Sequence, residues 1–257
     1  MPERVESLYP LPREPAALAD DAVSDLLSPN FELLTTLAHV AAVTERVRIG
    51  FNLLLLPLHN AVRVAEDIAT ADVISGGRID PGFGQGYAPH EFAGYGIPLS
   101  ERLSRFVEGL DVVQGLWSQD TFSYEGRHYR IDNARLVPKP VQDPMPLWLG
   151  ATTSPGVRRA GRRGANLLMV GGRALQEEYA AARQEGGFSM QDAKVLNLQW
   201  GHIAGSVDEA WDEAGPHFHH LMTVYQEFAN ASGGAGGPRP GQVPPVEELR
   251  DPKARLM

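Results

Sequence analysis

Apolar residues recur along this chain in alternating helical and strand-like patterns. Between residues 28 and 41 they recur at helical spacing, after a Ser-Pro pair of the kind that opens helices. A continuous apolar run at 47–56, partly β-branched, is typical of a parallel strand buried on both faces. Helical spacing returns after Asn60 and ends at Gly76-Gly77, because glycine tolerates the left-handed conformation that closes helices.

The same alternation continues as far as residue 228 and predicts a fold class. Residues 122–136 form a predicted hairpin, and four prolines between 138 and 146 predict a stiff connector. About six alternations of strand and helix predict an α/β protein whose parallel sheet has helices outside it. Alternation alone does not separate an open sheet from a closed barrel. The further predicted strands are 78–86, 147–149, 167–170 and 195–204, and the further predicted helices are 100–117, 156–163, 175–184 and 207–228.

Length and composition narrow the class of protein. A chain of 257 residues buries one sizeable core, so we predict a single domain over residues 1–257. Residues 1–27 are proline-rich and residues 230–257 are rich in glycine and proline, and both are interpreted as loop or tail. With 32 acidic against 23 basic residues the net charge is −9, which argues against a nucleic-acid partner.

Two absences from the sequence exclude further classes. No cysteine is present, which excludes disulfides, thiolate nucleophiles and thiolate metal sites. The proline-rich start lacks the apolar run of a signal peptide, and the longest apolar stretch, 53–58, is far below the roughly 20 residues that span a bilayer. We therefore expect a cytoplasmic protein with no membrane partner.

The most informative segment is the glycine-rich stretch at 77–87. Glycine at 82, 84 and 86 lets a large group approach the backbone where a strand ends, and exposed amide groups there suit an anion. A tight turn between a strand and a helix explains the same spacing equally well. The spacing is not the dinucleotide-binding fingerprint, because no glycine-rich turn opens directly into a helix.

A second candidate lies at 150–156, between a predicted strand and a predicted helix. The hydroxyls of Thr152, Thr153 and Ser154 at a helix start suit a phosphate group. Simple capping of the helix by one of these hydroxyls is the alternative, and the pattern alone favours it. A third signal is Asn52, a polar side chain within the apolar strand, which needs a partner in a neighbouring loop or faces a cavity.

The histidines give weaker signals. His217 and His220 stand three residues apart on a predicted helix, with His219 beside them, and in principle this pair chelates a metal. No carboxylate motif completes the set, so a solvated helix face is favoured and no metal site is predicted. His202 follows a predicted strand, which is where barrel enzymes hold catalytic groups, and it is a catalytic candidate on this position alone.

Taken in order, these segments resemble the bacterial-luciferase-like, flavin-dependent monooxygenases. The similarity runs through RIGFNLLLLPLHNAVRVAED at 48–67, DVISGGR at 72–78 and GFGQGY at 82–87. It continues through YEGRHY at 124–129 and PLWLG at 146–150. Each piece alone is unremarkable, but their order is specific, and the similarity covers roughly residues 28–228.

The resemblance implies a TIM-type (β/α)8 barrel with its active site at the carboxyl ends of the strands, where reduced FMN binds. It implies a non-proline cis peptide, here the Asn52–Leu53 bond, that supports the flavin ring. It also implies a phosphate site in the loop after the fourth strand and at the start of the helix after the fifth. The implied cofactor-binding residues are Asn52, Leu53, Gln85, Gly86, Tyr87, Thr152 and Thr153.

This sequence departs from the family pattern in charge and in length. Gln85 stands where many relatives carry arginine, and a neutral amide hydrogen-bonds a phosphate without neutralising it. Gly84 stands at the reactive cysteine of luciferase, so light emission is not expected. The similarity begins after the family's second strand and stops before its last, so we expect an incomplete barrel of about six βα units.

Residues and resemblance together lead to three hypotheses of function. The first is a monooxygenase-type oxidoreductase that uses reduced FMN and O2 to oxidise a small organic substrate, with a separate flavin reductase as its partner. The second is hydride transfer with a deazaflavin and without O2. The third is a non-catalytic flavin-binding fragment. Analogy with relatives adds a homodimer to these expectations.

Overall fold

The computed structural model describes residues 33–169, 172–197, 201–233 and 241–250. The predicted arm at 1–27, the predicted helix start at 28–32 and part of the predicted tail lie outside these residues. Residues 170 and 198–200 of two predicted strands lie outside them as well. Within the described residues, strands and helices alternate as the sequence predicts.

Parallel strands form the centre of the molecule. In chain order the strands are β1 Ile49–Gly50, β2 Leu54–Leu55, β3 Ile79–Asp80, β4 Gly82–Gly84, β5 Phe122–Glu125, β6 Arg130–Ala134, β7 Trp148–Ala151, β8 Asn166–Met169 and β9 Val195–Asn197. Five of them form one sheet in the order β2-β4-β7-β8-β9, in which every neighbouring pair is parallel. A further parallel pair joins β1 to β3.

The continuous strand predicted at 47–56 is interrupted at residues 51–53, and the prediction was wrong there. β1 pairs with β3 and β2 pairs with β4, whereas residues 51–53 and Pro81 belong to no strand. Proline has no amide hydrogen to donate, so the ladder does not run through Pro81. The Asn52–Leu53 peptide bond in the interruption is cis, as the resemblance implies.

Helices pack around the strands. They are α1 Leu33–Val43, α2 Ala61–Ser75, α3 Pro89–Gly94, α4 Arg102–Ser118, α5 Ser154–Arg162, α6 Arg173–Glu185, α7 Val207–Ala231 and α8 Val246–Arg250. Asn60 caps α2, because its side-chain oxygen accepts hydrogen bonds from two backbone amides at 3.0 and 3.2 Å. Gly76 ends the same helix with a φ of 65°. The helix predicted from residue 100 starts later than predicted, because a 3-10 turn at Leu99–Glu101 precedes α4.

The core fills the space between the sheet and the helices. Phe83 of β4 is fully buried, and its ring centroid lies 6.2 Å from that of Phe51 and 6.4 Å from that of Trp117. Trp117 of α4 donates its indole N–H to the carbonyl oxygen of Ala65 in α2 at 3.1 Å, which ties the two helices together. This packing fixes β4, at whose end the predicted cofactor residues begin.

The predicted hairpin and connector form between β4 and β7, and carboxylates hold both. β5 and β6 are antiparallel, and Glu108 of α4 accepts hydrogen bonds from two backbone amides at their turn, at 3.0 and 2.8 Å. Asp72 of α2 is fully buried and accepts hydrogen bonds from two amides of the connector, at 2.8 and 3.0 Å. These bonds compensate a carboxylate whose burial is otherwise costly.

The parallel sheet does not close on itself within the described residues, because β2 and β9 occupy its two ends. The strand predicted at 195–204 was wrong for residues 201–204, which are irregular and mostly exposed before Ser206 caps α7. These four residues pair with no described strand, so no ladder of hydrogen bonds forms there. Across the described ranges we find no helix with the length and apolar character needed to cross a membrane.

Candidate functional site

The carboxyl ends of β2, β4 and β7 meet at one edge of the sheet, because these strands are neighbours and run parallel. Gln85, Gly86 and Tyr87 directly follow β4, and Thr152 and Thr153 directly follow β7. Two of the three predicted cofactor segments therefore lie side by side. This edge is also the one at which barrel enzymes carry their active sites.

The third predicted cofactor segment, at residues 52–53, contacts the strands of the other two through Leu53. Its side chain covers the backbone of Gly84 in β4 and of Gly150 in β7. A Cβ atom on Gly84 would lie 2.9 Å from Leu53 Cδ1, and a Cβ atom on Gly150 would overlap the same atom. A side chain at either glycine would therefore displace Leu53. We call the arrangement of Leu53 across Gly84 and Gly150 the leucine recess.

The glycine-rich segment combines the two interpretations that its spacing leaves open. At Gly84 the absence of a side chain admits a large group, which in this structure is the side chain of Leu53. At Gly86 the backbone turns toward α3 with a φ of 68°, and a Cβ atom there would lie 2.9 Å from the ring of Phe92. Close approach and tight turn therefore belong to different glycines of one segment.

Asn52 does not lie in a buried strand, and that prediction was wrong. It belongs to the interruption between β1 and β2, and it is exposed. No described residue forms a hydrogen bond with its side chain. Water satisfies an exposed amide, so the partner or cavity that a buried amide needs is not required here.

The hydroxyl-rich segment after β7 does not cap α5 as the simpler alternative predicts. Thr153 occupies the N-cap position with extended backbone, but its side chain makes no capping hydrogen bond. Ser154 instead donates a hydrogen bond to the carboxylate of Glu178 in α6. Thr152 and Thr153 are both exposed. Their hydroxyls are therefore free to meet a group at the amino end of α5.

Tyr87 lies near α7, a proximity that sequence analysis missed. Burial, with smaller contributions from Tyr225 of α7 and Glu91 of α3, raises the pKa of the Tyr87 phenol to about 12. The phenol is therefore protonated at neutral pH and can donate a hydrogen bond. The ring centroid of His90 lies 4.6 Å from that of Phe228 in α7. Two aromatic residues three apart on one helix, Tyr225 and Phe228, are the sequence signal for this contact.

Glu91 is a second titratable group on this side of the sheet that sequence analysis missed. Burial raises the pKa of its carboxyl, and the neighbouring His90 partly opposes that increase. A carboxyl group with a raised pKa near a candidate site is one that holds a proton more readily than an exposed carboxyl does.

His202 is held by a contact with α7. Its Nε2 atom lies 2.6 Å from a carboxylate oxygen of Glu213, and the two side chains are 43% and 54% exposed. In the part of the chain that the structure describes, no hydrogen bond joins His202 to a cofactor candidate. His217, His219 and His220 all lie on α7, and the described residues contain no cluster of three or more side chains with the arrangement of a metal site.

Comparison with known sequences places these features in a family. The model of the family described as luciferase-like monooxygenase matches residues 10–257. The uncharacterized protein y4wF of Sinorhizobium fredii is 30% identical over 205 residues, which cover 77% of this chain and 59% of that protein. The uncharacterized protein y4vJ of the same organism is 32% identical over 138 residues, which cover 53% of this chain and 39% of that protein. The chain therefore spans about half the length of the curated relatives it matches.

Solved structures share the fold. The monooxygenase RslO1 from Streptomyces bottropensis is 26% identical with a TM-score of 0.67, and the match covers 80% of this chain and 63% of that chain. An F420-dependent secondary alcohol dehydrogenase is 19% identical with a TM-score of 0.67, covering 89% and 68%. The oxygenating constituent of 3,6-diketocamphane monooxygenase from Pseudomonas putida, in complex with FMN, is 17% identical with a TM-score of 0.63, covering 79% and 65%. The last two similarities show the fold alone.

The fold is accordingly an α/β barrel of the TIM type, as predicted, and the barrel is not closed within the described residues. Neighbours of this fold include monooxygenases and F420-dependent oxidoreductases. The family match covers nearly the whole sequence, so this chain belongs to the luciferase-like monooxygenase family.

Proposed function

We propose that this protein is a flavin-dependent oxidoreductase that binds reduced FMN at the carboxyl ends of β2, β4 and β7 and oxidises a small organic substrate with O2. The observation that carries the proposal is the leucine recess. It brings the segment around Leu53 against the two strands whose ends carry Gln85–Tyr87 and Thr152–Thr153. One bound molecule of flavin size contacts all three segments in this proposal.

The leucine recess suits the ring end of the cofactor. Leu53 offers an apolar, half-buried side chain, and Gly84 and Gly150 leave bare backbone beneath it. A flat aromatic ring system binds well against apolar surface of this kind. Leu53 would support one face of the ring and exclude water from it.

The residues after β4 and β7 suit the phosphate end. Tyr87 is protonated at neutral pH, and the amide of Gln85 and the hydroxyls of Thr152 and Thr153 are further hydrogen-bond donors. Gly86 adds a backbone N–H. None of these five residues carries a charge, and the dipole at the amino end of α5 favours an anion beside them.

When bound, reduced FMN supplies two electrons, with which one atom of O2 enters the substrate and the other leaves as water. The residues of this chain hold the cofactor, orient it and limit the access of water. Glu91 is the carboxyl group near this edge whose raised pKa suits it to hold a proton. His202 receives no role, because its contact is with Glu213 on the exposed face of α7.

A second candidate is hydride transfer with a deazaflavin and without O2. Gln85 is the residue that favours it, because a neutral amide is a weak substitute for arginine at an FMN phosphate. An F420-dependent dehydrogenase shares the fold of this chain at the same TM-score as RslO1.

Anaerobic titration of the purified full chain with each chemically reduced cofactor tests the proposal without a reductase. We expect saturable, stoichiometric binding of FMN. Leu53→Ala should weaken that binding about tenfold, because an apolar contact is lost. Leu103→Ala is the control, since Leu103 is an exposed leucine of α4, and it should leave the affinity unchanged.

Three other outcomes of these experiments would contradict the first proposal. Tighter binding of the deazaflavin than of FMN overturns the first proposal in favour of the second. Binding of neither cofactor by the folded protein overturns both. Binding of FMN without formation of an oxygenated product, across a panel of small organic substrates, leaves the non-catalytic flavin-binding protein as the explanation.

A further inference from the structure

A cleft of about 510 Å3 lies along α5. Four of its six lining residues are arginines, in a chain whose net charge is −9. Their spacing along the helix places them on one stripe of its surface. The lining residues are Ser154, Pro155, Arg158, Arg159, Arg162 and Arg163.

Three of the four arginines are fixed by carboxylates of neighbouring helices. Arg158 and Arg162 both pair with Glu185 of α6, at 3.3 and 3.1 Å. Arg163 pairs with Asp111 of α4 at 2.6 Å. These pairs hold the guanidinium groups in place and leave the cleft with more positive than negative charge. A fixed cationic cleft needs little rearrangement to receive an anion.

Arg159 differs from the other three arginines. In the part of the chain that the structure describes, its guanidinium forms no hydrogen bond or ion pair. It is half-buried, and burial together with the neighbouring charge of Arg163 lowers its pKa. A partly desolvated cation beside a second cation is stabilised by a bound anion more than an exposed arginine is.

We propose that this cleft is an anion site for a phosphate group, with Arg159 as the residue that contacts the phosphate and Arg158, Arg162 and Arg163 as its cationic walls. Guanidinium groups bind phosphate with two parallel hydrogen bonds and full charge, which suits this class of ligand. None of the lining residues belongs to the cofactor candidates.

Two sources of phosphate share this chemistry. One is free phosphate or a small phosphate ester, and the other is the phosphate end of a cofactor seated at Thr152 and Thr153, since Ser154 at the end of the cleft directly follows them. The cleft accepts either in chemical terms, so the experiment must separate them.

Titration of the full chain with inorganic phosphate, at constant ionic strength set by chloride, tests the site through the thermal midpoint. We expect phosphate to raise the midpoint of the wild type and of a Thr152→Ala, Thr153→Ala double variant. Arg159→Gln should bind phosphate about tenfold more weakly, and Arg159→Lys should retain part of the effect. Arg173→Gln is the matched control, because Arg173 is an exposed arginine of α6 paired with Glu177.

A chemical measurement on the wild type does not depend on how the variants fold. Phenylglyoxal modifies accessible arginines, and phosphate should protect Arg159 from it while leaving Arg173 unprotected. Equal stabilisation of Arg159→Gln and the wild type by phosphate overturns the site. Loss of the effect in the threonine double variant, or its loss in the wild type at saturating FMN, assigns the phosphate to the cofactor and overturns a separate ligand.

Discussion

The two polar regions beside α5 differ in how they are built to meet an anion. At the strand ends, Gln85, Tyr87 and the two threonines offer neutral hydrogen-bond donors around a recess filled by Leu53. In the cleft along α5, four arginines outnumber the two carboxylates that pair with them. Donors without charge select a ligand by geometry, whereas guanidinium groups supply affinity that salt weakens. Ligand binding at the strand ends therefore depends on packing, and ligand binding in the cleft depends on charge.

The strongest test of packing at the strand ends is Gly150→Ala. The new methyl group overlaps Leu53, so we expect the free energy of unfolding to fall by about 1–3 kcal/mol and FMN binding to weaken with it. Chemical denaturation measures the first effect and flavin titration the second. Gly201→Ala is the control, because Gly201 is exposed and a Cβ atom there meets nothing within 4 Å.

A double variant shows whether the recess is the cause. If the new methyl group displaces Leu53, Gly150→Ala should destabilise the Leu53→Ala variant much less than it destabilises the wild type. Additive losses in the double variant contradict the contact between these two residues.

Much of this arrangement can be predicted from local sequence. The alternation of strands and helices, the end of α2 at Gly76 and the glycines toward the end of the second predicted strand all follow from spacing and composition. These features depend on residues that are near one another in the chain. The order of the family's segments then predicts that Leu53, Gln85 and Thr152 belong to one cofactor site.

The remainder depends on contacts between distant residues. The interruption at 51–53 lies inside a run that is apolar apart from Arg48 and Asn52, and Pro81, which stands in a different segment, marks the same break. The side chain that fills the space over Gly150 belongs to Leu53, about a hundred residues earlier in the sequence. Position after a strand likewise suggested His202, whereas its contact with Glu213 is set by the path of α7.

A positive charge added at Gln85 tests whether the strand-end region binds FMN weakly because it lacks charge. Gln85→Arg should tighten FMN binding about tenfold, because a guanidinium neutralises the phosphate as well as donating to it. This gain should shrink as salt is raised, whereas the wild-type affinity should change little. Gln191→Arg adds the same charge at an exposed turn and controls for net charge. A gain of equal size in both variants assigns the effect to long-range attraction and not to the phosphate site.

The hydroxyls after β7 should have a smaller effect that is specific for the phosphate. Thr152→Ala and Thr153→Ala should each weaken FMN binding about three- to tenfold, the range expected for one neutral hydrogen bond. Binding of riboflavin, which lacks the phosphate, should not change. Thr70→Ala is the control, because Thr70 is exposed and bonds only to its own helix. An equal loss of affinity for riboflavin would mean that the threonines support the ring or the chain and not the phosphate.

The last expected effect, confined to strongly alkaline pH, is the pH dependence that Tyr87 contributes. Its pKa is about 12 against an ordinary 10.0, so the folded protein holds this proton more tightly than the unfolded chain does. That stabilisation is fully present below the ordinary value and is lost as pH rises from 10.0 through about 12. Tyr87→Phe should therefore lose less stability than the wild type over this range, measured by denaturation at each pH. Tyr95→Phe, at an exposed tyrosine, should follow the wild type. If Tyr87→Phe also follows it, the phenol is solvated and the neutral region is more open to water than its packing indicates.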